Sequence, residues 1–335
     1  MTHRERIEAL LAGEQPDRMP VSFWRHFYDQ ESSADDLSRA MLKFQDKFDW
    51  DLMKINPRAS YHLEDWGNKY TYTNDPMEKP IHDAYAVNTP ADWEKIGILS
   101  PDKAPALVEH VDAVAKIVNA SSDDLPIVMT VFNPISIAGD LVENDQFLVD
   151  QIHENPEAVK QALKNITMTF IEYCKRILAK GVDGIFFATT QWASTNLLTE
   201  DEYKIFGREF DMMLLEEIIP LTKLNVLHVC SSNNMLGFFK DYPFKLINWD
   251  ITDPTNASAE QGAEILTNKV VMGGVDRKGL LQTGSPAELK AMVDKYFKFA
   301  KKHPFMLAPD CSVPVSTPDD NLNIIKTKIE QSANF

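Results

Sequence analysis

Short apolar runs alternate with longer amphipathic stretches along this chain. The runs lie at residues 20–24 (PVSFW), 51–56 (DLMKIN), 126–132 (PIVMTVF), 184–189 (GIFFAT), 225–230 (NVLHVC), 246–251 (LINWDI), 270–276 (VVMGGVD) and 305–311 (FMLAPDC). They are rich in Val, Ile and Phe and bounded by turn residues. Continuous apolarity of this kind predicts strands buried on both faces, as in a parallel sheet. The stretches between them read as helices. Residues 155–180 carry Ala162, Ile166, Phe170, Cys174 and Ile177 on one stripe, and 201–219 form a second helix. Ser285-Pro286-Ala287-Glu288 opens a third, with Ser at the N-cap, Pro at N1 and Glu at N3. Residues 317–331 close the chain in the same way.

Eight such β–α units predict an α/β fold, a (β/α)8 TIM barrel, as a single domain over residues 1–335. Residues 1–18 form a helical lead-in. Residues 58–125, after the second strand, are too long for one crossover and decorate the barrel as an insertion. An open doubly wound sheet shares the alternation, but no G-x-G-x-x-G follows the first strand.

Composition narrows the function. Hydrophobic residues make up 44% of the 335 and charged residues 25%, as in globular proteins. No apolar run approaches the roughly 20 residues of a membrane span. The N-terminus, MTHRERIEALLAGEQ, is polar and amphipathic without a signal-peptide core, so a cytoplasmic location is expected. The formal net charge of −16 repels phosphate backbones and argues against nucleic-acid partners. The oligomeric state is not written in the sequence.

The three cysteines, Cys174, Cys230 and Cys311, are too few and odd in number for a disulfide framework. Cys174 sits mid-helix on an apolar stripe and reads as core. His228 and Cys230 end a predicted strand, where residues two apart share a face. Cys311 ends the last strand, and barrel chemistry sits at strand C-termini. Imidazole plus two thiolates is a zinc ligand set, with a fourth position left for substrate. Thiolate ligands disfavour hard ions such as magnesium. The competing expectation is two buried structural cysteines and a hydrogen-bonded core histidine. With two thiolates the metal holds water more softly, and a small-molecule thiol suits the open position better, bound as a reactive thiolate.

Several segments resemble the uroporphyrinogen decarboxylase superfamily. They are RIEALLAGEQPDRMPVSFWRH, FDWDLMKINPRASYHLEDWG, FNPISIAG, GGVDRKGLL and DCSVPVSTPDDNL. The resemblance spans the whole chain and implies a TIM barrel. The decarboxylase's active positions are not kept. Its R-Q-A-G-R reads Arg25-His26-Phe27-Tyr28-Asp29, and its aspartate position reads Asn56-Pro57-Arg58. Its tyrosine falls near Asp140, and its G-H-G reads Asp310-Cys311-Ser312. The pattern is closer to the zinc branch, which includes methylcobamide:coenzyme M methyltransferases, and to the zinc site of cobalamin-independent methionine synthase. That resemblance implies His228, Cys230 and Cys311 as zinc ligands. It adds Asp250 as a fourth ligand, or as an acceptor that orients His228. It also implies a methyltransferase that moves a methyl group from a methylated corrinoid, such as methylcobalamin, to a thiol. The chain has no D-x-H-x-x-G signature, so the corrinoid is expected on a partner protein. The alternative is a metal-free decarboxylase or lyase acting on another carboxylate, and a third reading is a non-catalytic corrinoid- or metal-binding protein. The sequence does not name the thiol; coenzyme M, homocysteine and glutathione all stay open.

Other strand ends offer substrate contacts. Arg25 is a candidate for an anionic substrate group, or an ion pair with Asp51 or Asp276. Lys54 contacts substrate or pairs with Asp276. Asn133 and Gln191 are candidate hydrogen-bonding groups, although Asn133-Pro134 also reads as a plain turn. Asp276 ends the seventh run. Phe132, Trp192 and Trp249 are candidates for an aromatic wall. His26, adjacent to Arg25, is expected to point the other way and to stay outside the site.

Overall fold

The computed structural model describes residues 1–332. Seven parallel strands form one curled sheet, a half-barrel, in the order β1 (Met53–Ile55), β4 (Ile127–Phe132), β5 (Gly184–Ala188), β6 (Val226–Val229), β7 (Leu246–Trp249), β8 (Val270–Val275) and β9 (Phe305–Pro309). The remaining strands, β2 (Lys69–Thr71) and β3 (Ile81–Ala84), pair antiparallel as a separate hairpin inside the insertion. Twelve α-helices accompany the sheet among the described residues.

The strands are mostly apolar because each face meets a different core. Val128, Phe186, Val226, Leu246, Met272 and Ala308 point to the concave side, into a cluster plugged by Ile7 and Leu10 of the first helix, His3–Ala12. Their neighbours Met129, Phe187, Leu227, Ile247, Val271 and Leu307 face the helical layer. Successive side chains alternate between the two faces, so these positions on both sides are apolar.

The first expected strand differs. Residues 20–25 make only single bridges, Val21 with Leu307 and Arg25 with Val313. Ser22 N–H donates to Leu307 O (3.1 Å), Leu307 N–H to Pro20 O (2.9 Å), and Asp51 N–H to Val21 O (3.0 Å). The segment thus reaches β9 on one side and the approach to β1 on the other. Pro20 has no N–H to extend a ladder. Asp51 fastens this seam: its buried carboxylate accepts from Arg6 (2.7 Å), Arg18 (2.6 Å), His3 (2.9 Å) and Val21 N–H (2.9 Å).

The helix expected over 201–219 is broken by a wider π-type turn at Lys204–Arg208, between Glu200–Tyr203 and Glu209–Ile218. The helix Pro286–Ala300 starts with the expected capping box of Ser285 and Glu288. Cys174 is buried in Pro156–Leu178, and burial pushes its thiol well up. Among the described residues no helix is long and apolar enough to cross a membrane.

Candidate metal centre

His228 lies on β6, and Cys230 follows one residue after the strand. Cys311 follows β9 by two residues. Their ligand atoms lie within 4.8 Å of one another, a grouping that excludes Asp250. Ser231, directly after Cys230, takes the left-handed conformation (φ 75°). That conformation is costly for a side chain with a Cβ and is retained where the surroundings dictate it.

The histidine is oriented from behind. Register aligns His228 on β6 with Asn248 on β7, and Asn248 with Met272 on β8. Asn248 Nδ2 donates to Met272 O and Pro309 O, each at 3.1 Å. Both carbonyls can only accept, so the amide is fixed with Oδ1 toward the ring. His228 Nδ1–H therefore donates to Asn248 Oδ1 at 2.6 Å. Nε2 carries the lone pair, is buried, and has no hydrogen-bond partner among the described residues. A buried acceptor without a partner costs about 1–3 kcal/mol. A soft divalent cation between it and the two sulfurs would satisfy it. The neighbouring Cys230 and Cys311 thiols act on each other, which pushes Cys311 down and Cys230 up. The donor set fits zinc.

Asp250 is not one of the grouped residues. Its Oδ1 accepts from Thr252 N–H (2.9 Å), Thr252 Oγ1 (2.7 Å) and Asp253 N–H (3.0 Å), a cap of its own turn. The acceptor behind His228 is Asn248. The sequence shows both residues at one strand end, but only the register tells which one faces the ring.

The ligand set opens into a cavity of about 600 Å³. Trp24, Phe132 and Phe186 form much of its wall, with Lys54 among them. Lys54 is 4% exposed, donates to Asn56 Oδ1 at 2.5 Å, and lies 4.7 Å from the Phe186 ring centre. Burial pushes its ammonium down to about 7, partly offset by Cys311 and Glu31. Among the described residues no Asp or Glu lines this cavity, whereas Lys79, Arg277 and Lys278 do.

The other expected contacts sit elsewhere. Arg25 lies over the Phe27 and Phe44 rings and pairs with Asp319 at 3.5 Å, rather than with Asp51 or Asp276. Asn133 is fully buried; it caps the helix Pro134–Asp140 and donates to Tyr203 and Asp211. Gln191 donates to Asp145 at 3.1 Å. Asp276 accepts from Lys278 and Gly279 N–H in its own loop, and Lys54 does not reach it. Of the three aromatics, Phe132 lines the cavity; Trp192 is buried beside Gly139, and Trp249 donates to Ala257 O. His26 lines the cavity, and Arg25 does not. The expected alternation holds, but with the opposite sense: Trp24 and His26 face in.

Replacing Asn248 by Leu should weaken zinc binding 10–100-fold in a chelator competition. The change also leaves two carbonyls unpaired, so the melting temperature should fall. Unchanged zinc affinity would show that the amide does not orient the ring.

Fold and site together define an α/β protein with a His/Cys/Cys group that could hold a metal ion at the strand ends of a curled parallel sheet. The chain belongs to the uroporphyrinogen decarboxylase (URO-D) family, whose model matches residues 2–330. No curated protein matches the chain in sequence. In fold it is similar to a methyltransferase from Methanosarcina mazei, with a TM-score of 0.80, 19% identity and 99% of each chain covered. It is also similar to a B12-independent methionine synthase from Shewanella sp. W3-18-1, with a TM-score of 0.59, 13% identity and 94% of each chain covered.

Proposed function

We propose that this protein is a zinc-dependent methyltransferase that activates a small-molecule thiol and methylates it from a methylated corrinoid carried on a partner protein. The observation that carries this reading is the buried, unpartnered Nε2 of His228 grouped with the Cys230 and Cys311 sulfurs at the cavity. The family and the two similar folds, one of a methyltransferase and one of a methionine synthase, support it. His228, Cys230 and Cys311 would hold zinc, which would supply Lewis acidity that lowers the pKa of a thiol at its open position.

The chain's own residues do the rest. Asn248 keeps Nε2 of His228 unprotonated. Trp24, Phe132 and Phe186 keep the wall apolar, which excludes water and preserves the nucleophilicity of sulfur. Lys54, buried without a carboxylate ion pair among the described residues, offers a hydrogen-bond donor to an anionic group of the thiol. In this reading residues 20–25 are the eighth stave of a closed (β/α)8 barrel in one cytoplasmic domain, with 58–125 as its insertion.

The test is turnover of free methylcobalamin with coenzyme M, homocysteine or glutathione, followed by thioether formation. Zinc-reconstituted protein should form the methyl thioether of one of them, and Cys230→Ala should lose the activity by at least about 10³-fold. Equal rates in wild type and Cys230→Ala would sink the reading. Carboxylate loss from a substrate without metal would favour a lyase instead.

A further inference from the structure

We propose that His26 and Glu31 form a proton-accepting dyad in the cavity, with His26 the catalytic base that takes the proton of the incoming thiol. This inference rests on the thiol reading above.

His26 Nδ1 lies 2.9 Å from Glu31 Oε1 and 3.3 Å from Oε2. Glu31 is 1% exposed, and its carboxylate also accepts from Phe27 N–H at 2.6 Å. A turn closed by Gln30 N–H on Phe27 O returns Glu31 to the ring five residues earlier. A carboxylate without a proton can only accept, so Nδ1 carries the hydrogen and Nε2 carries the lone pair. Nε2 has no partner among the described residues and is not among the sealed polar atoms. The ring lines the cavity, stacked on Tyr28 at 5.1 Å between centroids. A base oriented by a buried third group is the arrangement that general-base catalysis uses.

The cavity leaves few rivals. Tyr28 is pushed up to about 12 by burial and stays protonated. Lys79, Arg277 and Lys278 are cations, and His228 has its lone pair directed to the ligand group. Arg58 donates to the Glu31 backbone carbonyl at 3.1 Å and to Glu64 and Glu109. Lys54 is the one alternative acceptor, since it shares the cavity and its charge reaches Glu31.

The step balances simply. The S–H bond breaks, sulfur keeps the electron pair, and the proton moves to His26 Nε2, directly or through one water. The imidazolium is held against the Glu31 carboxylate. After sulfur takes the methyl group, the proton leaves to solvent through the partly exposed ring.

Calorimetry tests this independently of turnover. Zinc-loaded protein is titrated with coenzyme M, homocysteine and glutathione at about pH 8 in buffers of different ionisation enthalpy, which counts protons released per thiol bound. Wild type should release well under one proton. His26→Gln should release close to one, and Glu31→Gln should shift the same way, with kcat lowered about 10²-fold and KM little changed. Melting curves check that both variants fold. Equal proton counts in wild type and His26→Gln would overturn the dyad while leaving the thiol reading intact. A shift in Lys54→Met alone would give the role to the lysine and also overturn it. Failure of wild type to bind any of the three thiols would overturn the thiol reading itself, and the dyad with it.

Discussion

Cys311→Ala should reduce bound zinc from about one per chain to near zero in protein purified without added metal. The three ligand atoms lie within 4.8 Å of one another, so each could supply one ligand to a bound zinc ion. Removing one leaves imidazole and a single sulfur, too few to retain the ion against a chelator. Because Cys311 sits after β9 and is not part of the sheet core, the fold should survive, with the melting temperature of the metal-free variant close to that of metal-free wild type. The measurement is metal analysis by mass spectrometry beside a melting curve. Zinc retained at the wild-type level in Cys311→Ala would remove Cys311 from the site. Zinc absent from both, even after reconstitution under reducing conditions, would remove the metal, and a metal-free lyase would lead.

The second large effect is on stability. Asp51→Ala should destabilise the protein by about 3–5 kcal/mol, because it removes the buried carboxylate that Arg6, Arg18 and His3 share and leaves Arg18 with no carboxylate partner among the described residues. The Asp51 side chain is fully buried and accepts from Arg6, Arg18 and His3, which come from the first helix and the segment leading to residue 20. It joins that segment to the approach to β1, so its loss opens the seam. The pH dependence follows from the same contacts. Despite burial, which opposes ionisation, His3 and the two arginines push the carboxyl down to about 2. A folded value below the unfolded one means that this stabilisation is fully present above about pH 4. It is lost as pH falls through about 2, and it is on the order of 2 kcal/mol. His3 behaves oppositely. Its pKa is raised, first by the hydrogen bond to Asp51, so its contribution is full below its ordinary value and is lost as pH rises through the raised one. Urea midpoints of wild type and Asp51→Ala, followed from acidic to mildly alkaline pH, check both statements. Superimposable curves would show that the carboxylate does not hold the seam.

Asp51 also illustrates what was legible. The apolar run at 51–56 predicts a strand, and β1 is there, although only Met53–Ile55. An apolar run reports burial on both faces, and that is common to all seven sheet strands. It does not report ladder pairing, which is why residues 20–24 read as a strand yet make only one isolated bridge, at Val21, with a second just beyond at Arg25. Charge is harder still. Asp51 looks like a lone acid at the start of a strand, and its partners lie 33 to 48 residues earlier.

By itself the sequence determined the periodicities, and through them the α/β alternation, the helix caps and the candidate ligand set. Those are local properties: alternation along a strand puts His228 and Cys230 on one face whatever the strand packs against. The tertiary structure decided everything that depends on register between segments distant in the chain. It set Asn248, not Asp250, against His228, because neighbouring parallel strands align those two residues across the ladder. It turned His26 toward the cavity and Arg25 onto Phe27 and Phe44, because the bridge of Arg25 to Val313 fixes which face of that segment looks inward. It brought Glu31 back to His26 through a turn. Alternation says that two side chains oppose each other; only packing chooses which of the two is inside.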